Sequence, residues 1–138
     1  MEPPRGTAPG EKGRETPWAP ISWGELIDKI TILEIKSVEI VDEKARANVM
    51  KELALLQNVA QGQEAISDLK SQLKAVNAAL WKIEDAIRDK ERRHEFDQEF
   101  IALARSVYQR NDERARIKRQ ISSVLASELI EEKSYNNS

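Results

Sequence analysis

A ladder of apolar residues runs through the middle of this 138-residue chain: Ile66, Leu69, Leu73, Val76, Leu80, Ile83 and Ile87. Its steps alternate three and four without a miss, the spacing of one seam along an α-helix. A strand cannot use that spacing, because its side chains change face at every residue. A second ladder follows at Phe100, Leu103, Ala104 and Val107. It turns polar at Asn111, Arg114 and Lys118, then apolar again at Ile121 and Leu125. Two such ladders joined by a short turn require helices that pack along a shared seam.

The boundaries of the helices are marked by local chemistry. Ser22-Trp23-Gly24-Glu25 is a capping box, with Ile21 and Leu26 placed as its hydrophobic staple. The first helix therefore starts at Trp23. Leu26, Ile27, Ile30, Ile32, Leu33, Ile35, Val38, Ile40 and Val41 make it apolar almost all round. Asp42 is suited to cap a new helix, but no glycine or proline enforces a break there. The preferred reading is one helix to about Val59, with Val49, Leu53, Leu56 and Ala60 continuing its stripe. Gly62 suits a left-handed C-cap. The next helix runs from about Glu64 to Arg92, a turn falls near His94, and the last helix runs from about Asp97 to Glu131. The expected fold is all-α: an antiparallel bundle of three long helices, or four if the first breaks near Asp42, with coiled-coil-like packing.

All five prolines and three of the five glycines lie in residues 1–20, which therefore read as a disordered tail. Residues 21–132 form the bundle and residues 133–138 a frayed end. The balance of 22 Lys and Arg against 24 Asp and Glu gives no global attraction to nucleic acid. No cysteine is present, which removes thiolate sites, and a single histidine, His94, argues against a His-based metal site or a Ser-His-Asp triad. No apolar run approaches a membrane span, and no signal peptide is recognisable. The expected location is the cytoplasm, with no metal and no cofactor.

Polar residues inside the seams are the candidates for a site. Asn77, Trp81, Glu84 and Arg88 form a stripe at spacings of four, three and four. Folding the chain at His94 sets residue i opposite roughly 190 minus i. That places Trp81 level with Tyr108 to Asn111, and Asn77 level with Asn111 to Arg114; a second fold near Gly62 brings Asn48 level with Asn77. Two readings compete. One is a buried polar layer that fixes helix register. The other is a pocket for a small anion, gripped by Arg114 and Lys118, oriented by Asn77 and Asn111, and walled by Trp81 or Tyr108. Glu34, inside the apolar arc of the first helix, and Glu84 are charge partners that would neutralise Arg88, Arg114 or Lys118.

Five segments resemble a family of small bacterial all-helical proteins of uncharacterised function. They are SWGELIDKITILEIK at 22–36, ALWKIED at 79–85, IALARSVY at 101–108, NDERARIK at 111–118 and EEKSY at 131–135. The resemblance implies a bacterial, cytosolic helical domain, with a link to genes of surface-glycan metabolism. It brings no catalytic residues with it. The expected function is a non-catalytic binding or interaction module that self-associates or docks a protein partner. Its motive is the first helix, whose Ile32 and Ile35 exceed what three helices can cover. The alternative is a protein or enzyme that binds a sugar phosphate or carboxylate around Arg114 and Lys118.

Overall fold

The computed structural model describes residues 15–125. The expectations for the tail before residue 15, for the last helix running on to Glu131 and for the frayed end lie outside the described residues. Four α-helices follow one another: α1 (Trp23–Glu39), α2 (Glu43–Val59), α3 (Ser67–Arg92) and α4 (Gln98–Val124). The all-α bundle stands, and α1 ends well short of Val59. Ile40 to Asp42 are not helical, and Asp42 accepts a hydrogen bond from the Ala45 amide at 2.8 Å as the N-cap of α2. The single long first helix is thus corrected to two. The break lets α2 turn back and lay Val49, Leu53 and Leu56 against the broad apolar face of α1. A straight helix would have left that face to water.

α3 and α4 form a long hairpin, and α1 lies across its base. The core joins Leu26, Ile27, Ile30 and Leu33 of α1 to Leu73, Val76 and Leu80 of α3 and to Ile117 and Ile121 of α4. Leu73 and Ile121 are fully enclosed, and each such side chain contributes about 1.5–3 kcal/mol. Ile66, in a short 3₁₀ turn (Glu64–Ile66) ahead of α3, closes the bottom. Among the helices, α2 packs on α1 alone, and Leu53 is its one buried residue. Ile35 is buried and Ile32 half-buried inside a single chain. The excess apolar surface expected on the first helix is therefore covered from within.

The hairpin turn is built without glycine. His94 adopts a left-handed conformation (φ 54°). The His94 amide donates to the Glu91 carbonyl at 3.1 Å and the Glu95 amide to the Lys90 carbonyl at 2.9 Å. This is a Schellman ending to α3. An ion cluster holds it in place of the usual apolar contact. The Lys90 ammonium reaches Glu99 at 2.8 Å, Asp97 at 2.9 Å and Glu95 at 3.4 Å. Glu99 and Asp97 raise the Lys90 pKa above the ordinary lysine range. Asp97 also caps α4, accepting from the Phe100 amide at 3.0 Å; that bond and Lys90 hold its carboxyl below the usual range.

Candidate functional site

Where α1 crosses the hairpin, a buried polar cluster joins three helices. Its centre is Asp28 of α1, only 2% exposed. One carboxylate oxygen accepts from the Arg114 Nε at 2.9 Å and from the Asn77 amide at 3.0 Å. The other accepts from the second arm of the Arg114 guanidinium, so the pair is bidentate. Asn77 also donates to Thr31 Oγ1 at 2.9 Å, and Thr31 donates in turn to the Asp28 carbonyl at 2.8 Å. Lys118, 5% exposed, bonds to Glu25 and lies 3.9 Å from Asp28. Asn111 accepts a long 3.4 Å bond from Arg114 at the rim. Just below, the Gly24 amide donates to the buried Ser122 hydroxyl at 3.0 Å.

The helices deliver these groups by their periodicity. Asn111, Arg114, Lys118 and Ser122 follow one another at three, four and four on α4, so they share a face. On α1, Asp28 lies four residues from Gly24 and three from both Glu25 and Thr31, so it shares an edge with each of them. Among the described residues, charge closes within the cluster, two carboxylates against two cations. Three side-chain hydrogen bonds from Arg114 and Asn77 already fill Asp28. Arg114 and Lys118 are thus engaged before any outside anion arrives. Among the described residues, no group of three or more acidic or histidine side chains is placed to hold a metal ion. A cleft of about 300 Å³ opens elsewhere, lined by Ile27, Ile30, Gln57, Gln63, Ile66 and Lys70.

Asn77, Asn111, Arg114 and Lys118 thus meet at one place, while the other candidates do not join them. Trp81 is half-buried one turn farther along α3. Glu84 is exposed, and Arg88 is exposed and bonded to Asp85 at 2.7 Å. Tyr108 is 54% exposed. Asn48 is exposed on α2, which never reaches α3. Glu34 serves different cations from those expected: it pairs with Lys70 at 3.2 Å and Lys74 at 3.1 Å. The partners of Arg114 and Lys118 are instead Asp28 and Glu25, which sequence reasoning missed. The available signal was the spacing of Asp28, Thr31 and Ile35, three and then four. It carries two polar residues along the edge of a buried arc.

Burial alone would raise the Glu34 carboxyl, but hydrogen bonds and attraction from Lys74 and Lys70 outweigh it and hold the group below the usual range. A carboxyl lowered in the folded state stabilises above the unfolded pKa, and that contribution is lost as pH falls through the folded pKa. Glu34→Gln is therefore expected to cost less than about 1 kcal/mol at neutral pH, since both lysines are partly solvated. The difference should vanish in acid, once Glu34 is protonated in both states. Urea unfolding of both proteins across that range measures it, and a difference that persists in acid would rule out ionisation as the cause.

A model of a family of unknown function, DUF6165, matches residues 19–138, which includes every helix described above. The chain belongs to that family. No curated protein and no solved structure matches it. The DUF6165 match spans the cluster on α1, α3 and α4 as one unit. No described helix of this DUF6165 chain is long and apolar enough to cross a membrane.

Proposed function

We propose that this chain is a non-catalytic helical interaction module that engages a partner along the outer half of the α3–α4 hairpin. One observation carries the reading: α1 covers only the lower part of two continuous stripes. On α4 the stripe is Ser122, Lys118, Ala115, Asn111, Tyr108, Ala104 and Ile101, alternating four and three. Ser122, Lys118 and Ala115 are buried, whereas Tyr108, Ala104 and Ile101 are exposed. On α3 the stripe is Lys70, Lys74, Asn77, Trp81, Glu84 and Arg88. Its lower three residues meet Glu34 and Asp28 of α1, and its upper three continue past them. The hairpin beyond Asn77 and Asn111 is a two-helix arm whose seam residues Ile83, Ile87, Leu103 and Val107 are only half-buried. A two-helix arm cannot enclose its own seam, so a further helix has a place to lie.

An anion at Arg114 and Lys118 would have to displace Asp28 and Glu25 from them, so the small-ligand reading has weaker support. The buried cluster acts instead as the pin that sets α1 at one height on the hairpin. In this reading the module works in the cytosol of a bacterium, linked to surface-glycan metabolism; its resemblance to small bacterial helical proteins is the support for that setting. A photo-crosslinking residue at Ile101, Ala104 or Tyr108 in native cells tests the module. A discrete adduct from these positions is expected, and none from Ala102, Arg105 or Gln109, which lie about 100° round the helix. Equal labelling from both faces, or none, would sink the reading.

A further inference from the structure

We infer that the partner on this surface is a second copy of the same chain, the two arms packing face to face and antiparallel about a two-fold axis. The inference rests on the module reading above and names its occupant. Two features of the exposed stripes point to it.

The first is steric. The uncovered length, from Trp81 to Arg92 on α3, is roughly 17 Å at 1.5 Å per residue. α1 forms a step at its lower end. Two arms pointing the same way would drive one α1 into the other. Two arms pointing in opposite directions avoid that collision, because each tip comes to rest beside the partner's step.

The second is chemical. An axis passing level with Glu84 and Ala104 sets α3 against its own copy and α4 against its own copy, as isologous symmetry requires. Ile101 then lies opposite the partner's Tyr108, and Trp81 opposite the partner's Arg88, a cation over an indole. Ala104 meets the partner's Ala104 near the axis, where a small side chain permits close approach. Glu84 comes within reach of the partner's Arg88. Its carboxylate is unpaired among the described residues of the single chain. The arm from Trp81 to Arg110 carries seven basic and seven acidic residues. Such a balance suits a copy of itself and repels neither arm. A polyanion or an acidic membrane surface finds no excess charge to hold it there.

Sedimentation equilibrium of the full chain is expected to show a dimer at about 100 µM, because an interface of this size is at the small end of specific ones. Ile101→Glu combined with Tyr108→Glu should weaken it at least tenfold with helix content unchanged, since both positions are exposed. Arg88→Glu should weaken it too, and Glu84→Arg in the same chain should restore part of it, since the swapped pair re-forms while the cation over Trp81 stays lost. The chain has no cysteine, so Ala104→Cys offers a clean geometric check. Mild oxidation should link Ala104→Cys chains into dimers, whereas Lys51→Cys chains, altered on exposed α2, should stay single. A monomer with no Ala104→Cys dimer overturns the inference, as does a dimer indifferent to the Ile101 and Tyr108 changes. If that monomer still gives face-specific adducts of another mass in cells, the second copy fails while the module stands. If the adducts are missing as well, both fail.

Discussion

Replacing Asp28 with alanine is expected to lower the unfolding free energy by about 3–5 kcal/mol. The reason is what stays behind. Arg114, its side chain 29% exposed, would lose its bidentate partner, and Asn77 one of its two acceptors. Lys118 would keep Glu25, and the 3.9 Å approach to Asp28 would be gone. A charge left without its partner in a partly dry site costs more than the pair contributes. Asp28→Asn should fall between the two, since it keeps an acceptor and loses the charge. Joining Asp28→Leu with Arg114→Met should recover most of the loss, because both ends of the pair leave together. Urea unfolding followed by circular dichroism gives these values, and the single changes Asp28→Leu and Arg114→Met complete a mutant cycle with the double. A loss under about 1 kcal/mol for Asp28→Ala would mean that the cluster behaves as a surface pair.

Gly24→Val is expected to cost about 3 kcal/mol or more, at or above the top of the usual range for overpacking. Ordinarily a side chain is gained cheaply at such a site: glycine inside a helix is about 1 kcal/mol worse than alanine. At Gly24 that sign should reverse. A Cβ there would overlap the Lys118 carbonyl oxygen and come within 3.0 Å of the Ser122 hydroxyl. The first obstacle is backbone in the middle of α4, which cannot rotate aside as a side chain would. The chain can respond only by lifting α1 from α4. That stretches the Gly24 bond to Ser122 and the Asp28 pair to Arg114 together. Gly24→Ala should already be destabilising, and an alanine variant as stable as the parent would show that α1 has room to shift.

Much of this was legible in the residues, and the failures have physical causes. The apolar ladder on α3 located the seam, and the loss of seam after Ile87 located the turn at His94. Ser22 does cap α1, accepting from the Glu25 amide at 3.2 Å. The returning half of the capping box was lost because Lys118 competes for the Glu25 carboxylate, and an ammonium outbids an amide. Levelling the hairpin brought Asn77, Asn111 and Arg114 together correctly. Asn48 failed because its placement assumed α2 alongside α3. Asp42 was legible as a cap, but no residue at 40–42 forbids a helix, and the need to cover α1, which decides for the break, is tertiary. Asp28 was overlooked because an Asp-Lys step on an apolar helix reads as a solvated interruption. Its burial depends on a guanidinium 86 positions away.

The attachment of α2 sets the order in which the molecule comes apart. This helix adds one enclosed leucine to the core and, among the described helices, touches α1 alone, while α1, α3 and α4 are tied to one another by the polar cluster. Segments with few buried contacts open at free energies well below that of global unfolding. α2 is therefore the first cooperative unit to detach, swinging on the non-helical hinge at 40–42 with the three remaining helices intact. Its backbone amides would exchange with solvent ahead of those around Leu73 and Ile121, and the hinge is where a protease would gain entry.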